Sequence, residues 1–425
     1  MARTDAIVLG AGIVGTSTAL QLARRGLGVA LVDRRAPGEE TSYGNAGIIE
    51  GNTIFPPAFP SSWRALLRIA LKRAPEASYH LSHLPQAAPW LMAFFAASRP
   101  DRLVETARII RPLFASALAE HEALQAEVGA SFYLRREGWL KLYRSDAAFA
   151  ATTRELDLAQ EFGIAHRRLD REEARALEPH LAPVFRHAVH WPGAASVTNP
   201  LALTKGYAAH LARLGGVVLT GDARSLHRAD GRWRVDTAEG PIDASEVVLA
   251  LGPFAPDLLG PLGIDLPLGI KRGYHLHFRT AGNAALTRPV VDIENGYCLA
   301  PMEQGIRLTT GAEFAARAAP PTPVQLDRLL PDARALFALA EPVEATPWMG
   351  CRPCFADSRP VIGRAPGHDS GRHDSGRLAG LWLAYGHGHW GLTLGPATGR
   401  LLAEMMTGAT PFCDPAPYAA ERFKH

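Results

Sequence analysis

The stretch AIVLGAGIVG (residues 6–15) constrains the fold of this chain more than any other. A short apolar run enters glycines at 10, 12 and 15. A helical segment follows, GTSTALQLARRG, with Ala19, Leu22 and Ala23 on its apolar stripe and Gly26 at its end. A second apolar run, VALVD, then closes on Asp33, 18 residues after Gly15. Each part has a physical purpose. Gly10 makes the tight turn, Gly12 lets the backbone approach a pyrophosphate, and Gly15 lets helix and strand pack closely. The unpaired N–H groups of the helix start face the phosphates, and an acid at position 33 accepts the ribose hydroxyls. That acid repels a 2′-phosphate. A dinucleotide-binding βαβ unit is expected, with Gly10, Gly12, Ile13, Val14, Gly15, Asp33 and Arg34 against the cofactor.

The remainder of the chain selects among dinucleotides. No second glycine fingerprint is present, so a separate nicotinamide site is not expected. EVVLALG (246–252) is another apolar strand ending on glycine, preceded by a strand and a hairpin at Asp230-Gly231. A Rossmann half that is interrupted and then resumed is the layout of many FAD proteins, which adds Ala223 and Gly252 to the candidate cofactor contacts. With 425 residues, 47% of them hydrophobic, the chain can bury two or three domain cores. A net charge of +3 and the absence of a Lys/Arg run interleaved with aromatics argue against nucleic acid. The basic residues are mainly Arg; Lys occurs at 72, 141, 205, 271 and 424. Four cysteines do not make a disulfide scaffold and fit a reducing compartment. MARTDAIVLG runs directly into a strand without a secretory pattern, and no apolar run of about 18 residues exists to span a membrane. The expected location is the cytoplasm, either free or on the inner face of the cell membrane.

Three further motifs narrow the reading. TSYGNAG (41–47), WMGCRPCFADSRPVIG (348–363) and GHGHWGLTLGPATGRLLAEMM (386–406) resemble, in order, motifs of the bacterial D-amino acid dehydrogenases, flavoproteins of the D-amino acid oxidase/glycine oxidase superfamily. With the N-terminal fingerprint, the likeness runs from residue 6 to about residue 408. It implies FAD, held without a covalent bond, and adds Thr41, Ser42, Asn45, Ala46 and Gly47 to the cofactor contacts, together with His387, Gly388, His389, Gly391, Leu392 and Thr393. Gly386 to Gly391 reads as a bend that brings backbone to the flavin ring. The following helix should begin near Gly395-Pro396, with proline in its first turn. A helix start there would stabilise negative charge on the ring. His387 is a candidate contact to flavin or substrate; a metal at His387-x-His389 is not expected, because no carboxylate or cysteine stands at ligand spacing.

The resemblance implies oxidative deamination of a D-amino or D-imino acid by hydride transfer from Cα–H to flavin N5, with electrons passed to a quinone or another carrier. Two alternatives stay open: a glycine/sarcosine-type oxidase that uses oxygen, and the flavin subunit of a heteromeric hydroxyproline- or opine-type dehydrogenase. Homo- and hetero-oligomers are both open. The substrate carboxylate needs a planar, bidentate partner. Arg352 stands at the arginine of the family motif and is the candidate, also in contact with the cofactor; a structural pair with Asp357 is the competing reading. Tyr274 and Tyr297, in strand-like segments, are candidates to add a hydroxyl, and His275 and His277 can face solvent on the same strand. Cys351 and Cys354 form a CxxC without the context of a redox or zinc motif.

The expected fold is α/β: a Rossmann-like FAD-binding domain with an interleaved α+β substrate domain on a mixed or antiparallel sheet. Residues 1–60, 196–270 and 350–425 are assigned to the first, and 61–195 and 271–349 to the second. Asp170-x-x-Glu173 reads as a capping box, and Asn295-Gly296 and Gln304-Gly305 as strand turns. The tandem repeat HDSGRHDSGR (368–377) reads as a surface loop. WRALLRIALKRA (63–74) places Arg64, Arg68 and Lys72 on one helical stripe. Such a helix either lies on an anionic membrane surface or packs on its own domain.

Overall fold

A computed structural model describes residues 2–51, 56–60, 62–367 and 376–423. Most of the tandem repeat, 368–375, lies outside the described residues. The elements that build the site are, in chain order, β1 (Ala2–Leu9), α1 (Ile13–Ala23), β2 (Val29–Asp33), α2 (Trp63–Ala70), α3 (Leu84–Ala97), α4 (Pro100–Val128), α5 (Pro200–Arg213), β3 (Val217–Thr220), β4 (Ile242–Leu249), β5 (Leu268–Thr280), β6 (Tyr297–Met302), β7 (Gly305–Thr309), β8 (Trp348–Phe355), β9 (Leu381–Tyr385) and α6 (Gly391–Met406).

Strands β3, β2, β1, β4 and β9 run parallel in one eight-stranded sheet. Both faces are covered, so Ala6–Leu9 and Ala30–Val32 are wholly buried and read as unbroken apolar runs rather than alternating ones. One face packs on α1, α4, α5 and α6, the other on a separate apolar cluster around Trp233 and Phe355. The second sheet has eleven strands and is mostly antiparallel, with β5 at its centre, paired along different parts of its length with β7 and β8. The hairpins turn where the sequence indicates: Asp230 and Gly231 have φ of 52° and 77°, and Gly296 and Gly305 also have positive φ. Asp170 and Glu173 form the reciprocal capping box.

Two assignments by segment need correction. β8 carries Arg352 and belongs to the eleven-stranded sheet, so the 349/350 division falls inside a strand of the substrate-side sheet. Helix α4, from the stretch assigned to the substrate domain, packs Ile110, Leu113, Phe114 and Ala117 against the parallel sheet's core. The third correction concerns α6. It starts at Gly391, one turn before the expected position, and Pro396 sits inside it. An internal proline deprives the carbonyl four residues back of its donor. That carbonyl, of Leu392, instead accepts a 2.7 Å hydrogen bond from Nε2 of His121 on α4, at a fully buried contact. Burial holds His121 neutral, its pKa pushed down to about 4.

The donor from α4 therefore replaces the missing proline N–H. Replacing His121 by Leu leaves a buried carbonyl unpaired, with an expected loss of about 2–3 kcal/mol in urea unfolding, whereas Gln, which retains an N–H donor, should lose clearly less. Equal losses for the two variants would contradict this account of how the helix tolerates Pro396.

Candidate active site

A cavity of about 1410 Å³, counting its open mouth, runs between the C-terminal ends of the parallel strands and one face of the eleven-stranded sheet. Its first part is the fingerprint. Gly10 has φ of 102°, and a Cβ there would lie 2.6 Å from the Ala250 carbonyl oxygen. Gly15 does not line the cavity; a Cβ on it would meet Gly10 O at 1.8 Å, so its role is the close helix–strand packing. Asp33 lines the cavity while its carboxylate accepts hydrogen bonds from the N–H groups of Ala11 (2.7 Å) and Arg35 (3.0 Å). Ser42 Oγ accepts from Ile13 N at 2.9 Å and ties the 41–47 loop to the start of α1. Arg34 lies 4.4 Å from the Phe254 ring centroid, and both side chains line the same end of the cavity as Ala223 and Gly252.

The other end is formed by β5, β7 and β8 together with the 386–392 loop. Register pairs Lys271 with Arg352, Gly273 with Gly350, His275 with Trp348 and His275 with Thr309. Strand alternation puts these residues on one face. Room for the Arg352 guanidinium comes from Gly273, where a Cβ would lie 2.4 Å from Nη2. Trp348 lies over Gly44 and Gly350, whose Cβ positions its ring occupies, and stacks on His275 with centroids 4.9 Å apart. Arg352 donates to the carbonyls of Gly311 (2.9 Å), Thr310 (3.3 Å) and Arg272 (3.4 Å), and no carboxylate pairs with it among the described residues. Asp357, its competing partner, binds Arg359 and Arg422 instead. Burial and the absence of an anion lower the Arg352 pKa.

Of the residues picked out by sequence, Gly10, Gly12, Ile13, Val14, Asp33, Arg34, Thr41, Ser42, Asn45, Ala223, Gly252, Tyr274, Arg352, His387, Gly388, His389, Gly391 and Leu392 line the cavity. Gly15, Ala46, Gly47, Tyr297 and Thr393 do not. Gly47 lies against the carbonyl of Val197, on a short strand, and Thr393 Oγ1 donates from α6 to Ile48 O at 3.1 Å, so both fasten the 41–49 segment rather than touch the cavity. Tyr297 packs in the core of the eleven-stranded sheet, with its hydroxyl 3.3 Å from Asp332 O. Tyr274 borders the cavity, but its hydroxyl is held by Arg272 (2.6 Å), Glu313 (2.7 Å) and Thr322 N (2.9 Å). His275 and His277 are buried rather than solvent-facing, because β5 is covered on both faces. Trp348 and Thr309 were missed as site residues. Trp348 stands in the quoted motif, whereas nothing in the sequence marks Thr309. Its Oγ1 is buried, without a hydrogen-bond partner among the described residues, and Thr309 lines the cavity.

The cavity's histidines, 387 and 389, and His275 beneath Trp348 are neutral at pH 7. Burial lowers His387 to about 3 and His275 to about 2, the latter also by the Arg307 charge; His389 is likewise lowered by burial, then by Arg352 and Lys271. His387 Nε2 lies 2.9 Å from Thr398 Oγ1 on α6. Cys351 and Cys354, three residues apart on one strand, point to opposite faces and are both free thiols. Among the described residues no three His, Cys, Asp or Glu side chains converge on a common point.

The pinched glycine turn, the acid at the end of β2 and a long cavity with an unmatched guanidinium on its wall fit a dinucleotide, FAD among them. The chain belongs to the family of FAD dependent oxidoreductases (DAO), which its residues 5–405 match. It is 33% identical to "D-amino acid dehydrogenase 2" of Ralstonia nicotianae over 98% of this chain and 99% of that one. It is 29% identical to a "D-amino-acid oxidase" of Bradyrhizobium diazoefficiens, over 98% of each. Glycine oxidase from Geobacillus kaustophilus superposes with a TM-score of 0.75 at 23% identity, over all of both chains.

His121, His275 and His387 have folded pKa values below their unfolded value of about 6.5. Their stabilising contribution is therefore complete above pH 7 and is lost as pH falls from about 6.5 toward 4, where the unfolded chain takes up protons that the folded chain refuses. Urea unfolding of the apo-protein should show a loss of about 2 kcal/mol per histidine between pH 7 and pH 5; equal stability at the two pH values would refute the neutral assignment.

Proposed function

We propose that this protein oxidises D-amino or D-imino acids with non-covalently held FAD and passes the electrons to a quinone or another carrier. The observation that carries the reading is Arg352: a guanidinium on the cavity wall, in contact only with backbone carbonyls. A buried cation without an anion is costly, and a carboxylate from a ligand relieves that cost. Bound in this cavity, FAD supplies a hydride acceptor for the carbon that bears the substrate amine. The side chains have the remaining tasks. Arg352 presents two parallel N–H donors to the carboxylate. Thr309 Oγ1, rather than a tyrosine hydroxyl, is the second donor. Trp348 and the sheet beneath it exclude water from the reacting carbon. His387 and His389 stay uncharged and do not compete with Arg352 for the carboxylate. A neutral amine needs no strong side-chain base, and burial makes the neutral imidazoles of His387 and His389 weak ones. The D-configuration rests on the likeness to the Ralstonia and Bradyrhizobium enzymes. Non-covalent attachment is supported by Cys351, whose thiol does not line the cavity and is raised in pKa by burial.

The test uses the purified, FAD-loaded chain with an artificial acceptor and a panel of D- and L-amino acids and cyclic imino acids. Arg352→Met should retain FAD and lower kcat/KM by about 100-fold or more, chiefly through KM, and acid precipitation should release the yellow colour. Unchanged turnover in the variant would remove Arg352 from the mechanism. Peroxide formed under air as fast as dye is reduced would make oxygen the acceptor.

A second surface supports the choice of acceptor. No side chain of α2 is buried, and Trp63, Leu67, Leu71, Leu81, Met92 and Phe95 are all exposed on α2, α3 and the segment between them. Arg64, Arg68 and Lys72 border this apolar patch, and no helix is long and apolar enough to cross a membrane among the described residues. We infer peripheral binding to an anionic bilayer, where quinones dissolve. Flotation with acidic liposomes should carry the protein upward and Trp63→Glu/Leu67→Glu should not float; a wild-type chain that stays at the bottom refutes the contact.

A further inference from the structure

Beside the main cavity is a smaller chamber, lined by Pro57, Lys271, Cys354, Phe355, Ser358 and Trp390 and sharing Gly386, His387, Gly388 and His389 with the larger one. Lys271 is its unusual member. It is 6% exposed and has no hydrogen bond or carboxylate partner among the described residues. Its ammonium lies 4.1 Å from the Phe94 ring centroid and 5.1 Å from that of Trp90. Trp90 itself is fixed, packed where a Cβ of Gly269 would stand and donating from Nε1 to Cys354 O at 3.0 Å. The aromatic faces stabilise the cation in part. They supply no negative charge, and burial with the nearby Arg352 charge lowers the Lys271 pKa.

Lys271 is the direct cross-strand neighbour of Arg352 in the β5–β8 pair. Paired residues stand about 4.5–5.5 Å apart at Cβ, on the same face. Two basic side chains thus stand side by side, Arg352 on the main cavity and Lys271 on the smaller chamber, each without an anion among the described residues, and both charges act on His389, which lines the two spaces. One carboxylate satisfies Arg352; the second charge calls for a second acid.

We propose that Lys271 forms a second anion subsite that selects amino or imino acids carrying a further carboxylate, of the D-glutamate or D-aspartate type. The proposal rests on the reading of Arg352 as the α-carboxylate anchor. The main-chain carboxylate is held by Arg352, and the side-chain carboxylate reaches past His389 into the chamber, where Lys271 binds it with the aromatic wall behind. Lys271 is a specificity-determining residue in this scheme and takes no part in the redox step.

The test compares D-glutamate with its neutral isostere D-glutamine, on the full-length FAD-loaded chain with an artificial acceptor. The wild type should favour D-glutamate in kcat/KM by about 10- to 100-fold, the range one charge-assisted hydrogen bond provides. Lys271→Met should lower that ratio by a similar factor, mainly in KM, and Lys271→Arg should keep most of it. A lysine held only by its aromatic neighbours would leave the ratio unchanged in Lys271→Met, and that result, or a wild type indifferent between the two substrates, overturns the proposal. Should Lys271→Met not hold FAD, the wild type alone decides: glutarate should perturb the flavin spectrum at concentrations about 10-fold or more below those needed for butyrate, and equal potency overturns the subsite. The glutarate measurement also separates the two readings, since it can succeed even where no D-amino acid is oxidised.

Discussion

The site depends on how closely α1 and α6 approach each other. Gly395 and Gly399, one turn apart on α6, face α1: a Cβ on Gly399 would lie 2.8 Å from the backbone carbonyl carbon of Ser17, and one on Gly395 3.3 Å from Ile13 O. No larger residue permits this approach. It brings the first turns of both helices, Ile13–Val14 and Gly391–Leu392, to the same cavity wall. Two helix starts with their unpaired N–H groups therefore converge from segments nearly four hundred residues apart in sequence. The buried polar residues on α1, Thr16, Ser17, Thr18 and Gln21, are compatible with the same packing; Thr16 and Thr18 return their hydroxyls to backbone carbonyls within or just before the helix.

The same interaction explains what the sequence conveyed and what it concealed. The fingerprint was legible because Gly10 needs its positive φ and Gly15 packs on the Gly10 carbonyl five residues away, and the strand–helix–strand pattern repeats that requirement in its hydrophobic periodicity. The start of α6 was not legible. Gly391, Gly395 and Pro396 are poor helix formers, and local propensity places them before a helix rather than within it. Their helical state is imposed by α1 on one side and by His121 on the other, and both partners are distant in sequence. Arg352 could be found from its motif. Tyr274 lines the cavity and Tyr297 does not, a difference the sequence does not carry: period-two alternation tells that a tyrosine lies on a strand but not which of two covered faces it takes, and both hydroxyls are held by groups on distant segments, Glu313 and Asp332 among them. Thr309 lacks any local signature, since a threonine on a strand is ordinary until the other side of its hydroxyl is known to be empty.

Charge completes the picture. Near the substrate end the structure gathers Arg352, Lys271 and Arg307, and it answers only one of them from within. Arg307 donates to His277 Nε2 and to the carbonyls of Tyr43 and Asn45, while His277 in turn meets Glu344. That chain of contacts ends on a carboxylate near the surface and fixes the 41–47 loop over the sheet. Arg352 and Lys271 have no such chain. The histidines that could have added positive charge are kept neutral by burial, so the field that a ligand meets comes from the two guanidiniums and the Lys271 ammonium.

The remaining requirement is that the two sheets hold a fixed distance, since a substrate gripped by one must meet a cofactor cradled by the other. The contact that meets it is small. Cys354, at the end of β8, forms a β-bridge to His387 in the loop that leads into α6. Arg352 lies two residues before that bridge, and Gly391 four residues after it. Arg352, the proposed carboxylate anchor, and the start of α6, which lines the cavity, are thereby counted off from a single backbone pairing. Thr41 Oγ1 adds a second tie, donating to Cys351 O at 2.9 Å from the loop that follows β2. The bridge uses backbone only, whereas the second tie uses the hydroxyl of Thr41, a residue that also lines the cavity. The spacing between Arg352 and the start of α6 is thus set by one backbone bridge and one side-chain-to-backbone hydrogen bond, and neither involves Lys271 or Thr309.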